Sequence, residues 1–258
     1  MIISLGERCS EGCSHCFVNS LPRSPIMSEE TLDQTIDYLK RLKNLFVLIS
    51  GGEFTEHPEF HRFISRIIKE AREPFGLPIM LLSNGSWFFD PDKKEQMIDL
   101  MKSETVQIVQ VRTHKKFYPN YVRTMAASEQ MQALSPKVSV FDDGIRIMPL
   151  GRARANHMDI VEHKMPGCGN IFLLAKQGVG KNWREIVLAL EGLNRSCAPF
   201  TDCKGFIHAG ETPYCEVLGH ITDSDERIFE NILKRCKPKN VCGLVKNWPA
   251  DAAAMINS

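Results

Sequence analysis

Apolar residues recur in two alternating patterns over the first 112 positions. Ile2-Ile3-Ser4-Leu5, Phe46-Val47-Leu48-Ile49, Ile79-Met80-Leu81-Leu82 and Val106 to Val111 are short runs with almost no polar face. Such runs predict strands buried on both sides, as in a parallel sheet. Between them lie stretches with helical spacing. Ser28 can cap a helix, Glu29 and Glu30 suit its positive end, and Leu32, Ile36, Leu39 and Leu42 line one side. Pro58 suits the first turn of a second helix, with Phe60, Phe63, Ile64, Ile67 and Ala71 as its stripe. Met97, Ile98 and Met101 mark a third after Asp90-Pro91. Strand–helix repeats build a parallel sheet with right-handed crossovers, either doubly wound or curled into a barrel, and periodicity does not choose between them.

After Tyr121 the pattern loosens. Val138 to Phe141 and Ile145 to Met148 flank Asp142-Asp143-Gly144, as in a hairpin. That leaves no room for a crossover helix, so a barrel is either shortened or takes its sixth strand later, at Ile171-Phe172-Leu173-Leu174. Pro149 to Ala153 leads out of this module, and Trp183 to Leu193 reads as a packing helix. A last helix is expected from Asp223 to Arg235. Asp223 and Glu226 form its capping-box-like start, and Ile228, Phe229, Ile232 and Leu233 its buried stripe.

Composition narrows the classes. The 258 residues are 43% hydrophobic and 24% charged, with a formal charge of +1, which gives no electrostatic reason to expect nucleic acid. No apolar run reaches membrane-spanning length and no signal peptide is visible, so a cytoplasmic protein without membrane contact is expected. Three of the nine cysteines precede residue 17 and six follow residue 167. An odd count without a secretion signal favours metal ligation over disulfides. The asymmetry predicts two modules, residues 1–155 and 156–258.

Cys9-Ser10-Glu11-Gly12-Cys13-Ser14-His15-Cys16 follows the first strand. Three thiolates this close can share one metal centre. A fourth would complete a structural zinc or an ordinary iron–sulfur site, whereas three leave a position open to a substrate. A zinc knuckle completed by His15 is the alternative. The second strand ends in Ser50-Gly51-Gly52-Glu53, where two glycines permit close approach to the backbone and a carboxylate can accept from an ammonium group. Ser83-Asn84-Gly85 ends the third strand and can meet hydroxyl groups, or be a simple turn. Arg112 ends the fourth and can hold a carboxylate through two bonds. His114 beside it can transfer protons. Working residues of barrels sit at these strand ends.

The Cys-x3-Cys-x2-Cys run, followed one strand later by Gly51-Gly52-Glu53, resembles the radical S-adenosylmethionine (SAM) enzymes. The resemblance implies a partial (β/α)6 barrel and a 4Fe–4S cluster on Cys9, Cys13 and Cys16, with SAM on the fourth iron. It places Gly51, Gly52 and Glu53 at the SAM amino group, Ser83 and Asn84 near the ribose, and His15 where the family usually has an aromatic residue. Arg112 stands where relatives more often have Ser. Cys197, Gly210 and Cys215 are similar in spacing to the opening of the Twitch or SPASM extension, a small α+β module with an auxiliary iron–sulfur cluster. Cys236 and Cys242 would complete four thiolates. Cys203 can replace Cys197, Cys168 is a ligand or a free thiol, and a zinc site on the same four is the alternative.

What the resemblance implies is reductive cleavage of SAM to a 5′-deoxyadenosyl radical that takes hydrogen from a substrate. A flavodoxin- or ferredoxin-type protein would supply the electron. The substrate class stays open among peptides, protein side chains, sugars and nucleosides; nothing precedes Ile2 that would bind a leader peptide. Outside catalysis, an iron–sulfur electron carrier or scaffold and a zinc-binding adaptor remain. Gln177 to Lys181 is not a phosphate loop, because Ala175 and Asn182 stand where Gly and Ser or Thr are required.

Overall fold

The first helix starts where its cap predicts. Ser28 Oγ accepts from the Thr31 N–H at 3.1 Å, and α1 (Glu29–Leu42) buries Leu32, Ile36, Leu39 and Leu42. The computed structural model describes residues 1–142, 151–158, 170–191, 198–211 and 213–235. Among them, β1 (Ile2–Ser4), β2 (Val47–Ser50), β3 (Ile79–Ser83), β4 (Val106–Arg112) and β5 (Val138–Phe141) are parallel neighbours in one open sheet. Ile3, Ile49, Leu81 and Val109 pair in register across it and are fully buried. These four pack into the apolar core, while Leu48, Met80 and Leu82 on the other face are half-buried.

After β2, α2 (Phe60–Arg66) passes into a π-helical turn at Ile67–Arg72. Along this turn Ile67, Ile68, Ala71 and Arg72 are all buried. Arg72 is fully buried and donates to the carbonyls of Asn44, Leu45 and Pro78 at 2.9, 3.1 and 3.0 Å. Asp90 caps α3 (Pro91–Lys102), accepting from the Asp92 and Lys93 N–H groups. Two short helices, α4 (Tyr121–Ala126) and α5 (Ser128–Leu134), precede β5.

Beyond β5 the expectations need correction. The second arm of the proposed hairpin lies outside the described residues. Val138–Phe141 itself runs parallel to β4, with Val109 opposite Val138. Ile171 to Leu174 is not a strand. It forms α7 (Asn170–Lys176), after the short α6 (Gly151–Ala155). Ile171 and Ala175, one helical turn apart, are buried. The helix at Trp183–Glu191, α8, is as expected, and Trp183 donates to the Tyr38 hydroxyl at 2.7 Å.

The C-terminal strands join the same sheet. β6 (Phe200–Thr201) is parallel to β1, with Ile2 opposite Phe200, and β7 (Phe206–His208) and β8 (Val217–His220) add on antiparallel. The order is β5-β4-β3-β2-β1-β6-β7-β8. The apolar core is continuous from Ile3 to Ile228 and Ile232 on α9 (Asp225–Arg235). That helix begins two residues later than expected: Ser224 Oγ accepts from the Arg227 N–H, while Asp223 binds the His220 N–H instead. Leu233, expected inside, is 45% exposed. No helix among the described residues is long and apolar enough to cross a membrane.

Candidate metal and cofactor site

The loop after β1 is fastened to its neighbours by backbone. Gly52 and Glu53 donate their N–H groups to the carbonyls of Gly6 and Arg8, both at 2.8 Å. A Cβ on Gly51 would lie 2.2 Å from the Gly6 carbonyl oxygen, and one on Gly52 2.4 Å from that of Arg8. The two glycines therefore admit the cysteine loop itself on one side, and still line a cavity on the other. Ser10 adds two bonds to Glu56 Oε1, from its N–H at 2.7 Å and its hydroxyl at 2.6 Å.

That cavity, about 160 Å³, brings Cys9, Cys13 and Cys16 together with Gly51, Gly52 and Asn84. It is small beside the roughly 300 Å³ and more of small-molecule pockets, so a nucleoside-sized guest would extend beyond it. Burial pushes the Cys9 and Cys13 thiols up to about 12. They hold their protons at neutral pH until a cation offsets the charge. Two sulfurs already receive hydrogen bonds, Cys9 from Asn84 Nδ2 at 3.8 Å and Cys16 from the Ser20 N–H at 3.4 Å.

Among the described residues no three His, Cys, Asp or Glu side chains converge on a single ion. Lone zinc draws its sulfurs to within about 3.8 Å of one another, from a bond of about 2.3 Å. A cluster instead gives each cysteine its own iron, and soft thiolate donors suit it as they suit zinc. His15 lines the same cavity as the three cysteines. It is 8% exposed and its ring packs on Phe117 and Tyr118, with centroids at 5.2 and 4.9 Å. Burial, with the charges of His114 and Arg152, brings it down to about 4. Its Nδ1 has no hydrogen-bond partner among the described residues.

Glu53 does not line the cavity. Its buried carboxylate accepts from the Thr55 N–H and hydroxyl at 3.3 and 2.8 Å, the Ser83 hydroxyl at 3.0 Å and the Asn84 N–H at 2.7 Å. It joins the loops after β2 and β3. Ser83 also accepts from the Gly85 N–H, so its hydroxyl is engaged on both sides. Arg112 lines the cavity with its guanidinium 5.2 Å from the Phe141 ring centre. His114 accepts from the Lys116 N–H and stacks on Phe117.

Tyr118 and Arg152 also line the cavity, and the sequence did not single them out. No spacing signal marks Tyr118. Gly151-Arg152 reads locally as an exit from the module, and only the packing of α6 against the cysteine loop reveals it.

Of the expected auxiliary ligands, Cys215 lies between β7 and β8, its carbonyl bound by His208 Nδ1 at 3.1 Å. Cys197, Cys236 and Cys242, and also Cys168, lie outside the described residues. Gly210 shares the β7–β8 connection, whereas the β6–β7 turn is made by Gly205 at φ 86°. Cys203 sits in that turn, 2% exposed, and β6 being parallel to β1 puts it on the rim that carries the cysteine loop.

Residues 3–113 match the model of the radical SAM superfamily. No curated protein matches the chain. Two solved structures are similar in fold. One is selenomethionine BtrN in an open conformation, with a TM-score of 0.52 and 14% identity over 96% of this chain and 91% of that one. The other is native anSMEcpe with bound AdoMet and Cp18Cys peptide, with a TM-score of 0.55 and 14% identity over 94% of this chain and 87% of that one.

Proposed function

We propose, from the match of residues 3–113 to the radical SAM superfamily model, that this chain reductively cleaves SAM and uses the resulting radical to take a hydrogen atom from a substrate. The observation that carries this reading is the meeting of Cys9, Cys13 and Cys16 with Gly51, Gly52, Asn84 and Arg112 in one cavity. When bound, a reduced 4Fe–4S cluster supplies one electron to the SAM sulfonium, giving methionine and a 5′-deoxyadenosyl radical. Cys9, Cys13 and Cys16 would hold the cluster, and Arg112 has the fork to pair with the SAM carboxylate. Gly51 and Gly52 offer backbone at the rim. Glu53, saturated by its four internal donors, fixes that rim. His15, Phe117 and Tyr118 cover the cysteine loop with aromatic surface and keep water from it.

A peptide or protein side chain is the substrate class this reading favours, with a sugar or nucleoside as the competing one. Support is the likeness in fold to a structure with a bound peptide, together with a cavity too small to enclose a whole substrate. Cys215, with Cys197, Cys236 and Cys242, is proposed to hold an auxiliary cluster, and a flavodoxin- or ferredoxin-type protein in the cytoplasm to supply the electron.

The test is anaerobic reconstitution with iron and sulfide, then SAM and dithionite. Formation of 5′-deoxyadenosine, lost when Cys9, Cys13 and Cys16 are replaced by Ala, is the expected result. Iron-loaded protein that leaves SAM intact would overturn the reading in favour of an electron carrier. Zinc without iron would favour an adaptor.

A further inference from the structure

The segment after β5 returns to the cysteine loop and is locked there. A Cβ on Gly151, at φ 51°, would lie 2.6 Å from the Phe17 carbonyl oxygen and 2.8 Å from that of Cys16. The Arg152 N–H donates to the Cys16 carbonyl at 3.0 Å, and Asn156 Nδ2 to that of Ser14 at 2.9 Å. From this anchor the Arg152 side chain reaches back: Nη2 donates to the Ser20 carbonyl at 2.5 Å, and the guanidinium lines the cavity with the three cysteines.

Three facts set this cation apart. Among the described residues no carboxylate pairs with it. Its Nε is buried and without a partner among them. Its guanidinium belongs to the same cavity wall as Cys13. Cys9 and Cys16 each have a hydrogen-bond donor on sulfur, and Arg152 brings a positive charge to the cavity they share with Cys13. A half-buried guanidinium without a carboxylate is poorly compensated unless an anion faces it. Three cysteines on an iron–sulfur cluster supply that anion, and its charge grows by one on reduction. A fixed cation at the site therefore stabilises the reduced state more than the oxidised one.

We infer that Arg152 is a positioning residue that holds the cysteine loop through its backbone and raises the reduction potential of the cluster through its charge. The inference rests on the cluster reading above. Arg152→Gln removes the charge and keeps a donor, while Arg152→Lys keeps the charge. Both full-length variants and the parent are reconstituted anaerobically, iron and sulfide are counted, and the cluster is titrated without SAM. The electron paramagnetic resonance signal followed is the one that SAM shifts in a parallel sample.

At a fixed poised potential the reduced-to-oxidised ratio should fall about tenfold in Arg152→Gln, equivalent to roughly 59 mV for a one-electron couple. Arg152→Lys should stay within about twofold of the parent. If Arg152→Gln holds no iron, Arg152→Lys decides: a full iron complement at the parent potential supports the charge, and loss of iron there too overturns it. An unmoved potential in Arg152→Gln overturns the inference, as does a change confined to SAM affinity. A parent that binds no iron and sulfide refutes the cluster reading itself, a distinct result.

Discussion

Replacing Glu53 tests whether its carboxylate is the joint between the loops after β2 and β3. In Glu53→Gln one oxygen becomes an amide NH2 at constant shape. Placed at Oε2, that group faces the Asn84 N–H; placed at Oε1, it faces the Thr55 N–H. Either way a buried backbone donor meets another donor. Orphaning one such group costs about 1–3 kcal/mol, so a loss of about 2 kcal/mol is expected. Glu53→Met offers no acceptor and orphans both N–H groups, which brings the loss to about 4 kcal/mol. For a chain of this length those losses correspond to melting points lower by about 4–8 and 8–16 °C. The assay is urea and thermal unfolding of the reduced, metal-free protein. Because Asn84 binds both Glu53 and the Cys9 sulfur, alkylation of Cys9 should quicken in both variants. Glu53→Met as stable as the parent, or Glu53→Gln the weaker of the two, would refute the reasoning.

Three further perturbations follow from the geometry. Gly52→Ala forces a Cβ against the Arg8 carbonyl, so the variant should retain less iron after reconstitution than the parent; equal iron content would show that the loops part easily. Arg72→Met strips the buried Asn44 carbonyl and the partly buried Leu45 and Pro78 carbonyls of their donor and should cost about 3 kcal/mol in urea unfolding, with a loss under about 1 kcal/mol counting against that account. Hydrogen bonds from Arg62, and then Arg66, hold the exposed Glu29 carboxyl below the usual range. An acid depressed on folding gives stability above its unfolded pKa and loses it as pH falls. The urea midpoint should therefore drop between pH 5 and 3, less steeply in Glu29→Gln; identical slopes would contradict this.

The strands and first three helices were legible because their residues obey local rules. Ser28 and Asp90 cap where caps belong, and Ile3, Ile49, Leu81 and Val109 occupy runs with no other use than burial. The cysteine loop was legible from spacing alone. What escaped depends on contacts between distant parts of the chain. Ile171 to Leu174 fits a buried strand and a buried helix equally, and only packing against α8 and α9 decides. Arg72 in a helical stripe carries no mark of the π-helical turn in which it is buried. Glu53 reads as a lone carboxylate at a strand end, and its bonds to Ser83 and Asn84, some 30 residues later, are made only by the fold. Arg152 is invisible for the same reason.

The pairing of Ile2 with Phe200 joins positions about 200 residues apart, and closing so long a loop is slow. Until it closes, the residue 2–4 strand has one bare flank that offers unpaired amides beside apolar side chains. Bare flanks of that kind recruit strands from other molecules. Expression of a fragment ending at Ala155 should therefore give sticky material, and co-expressing the remainder as a separate polypeptide is the natural way to cure it.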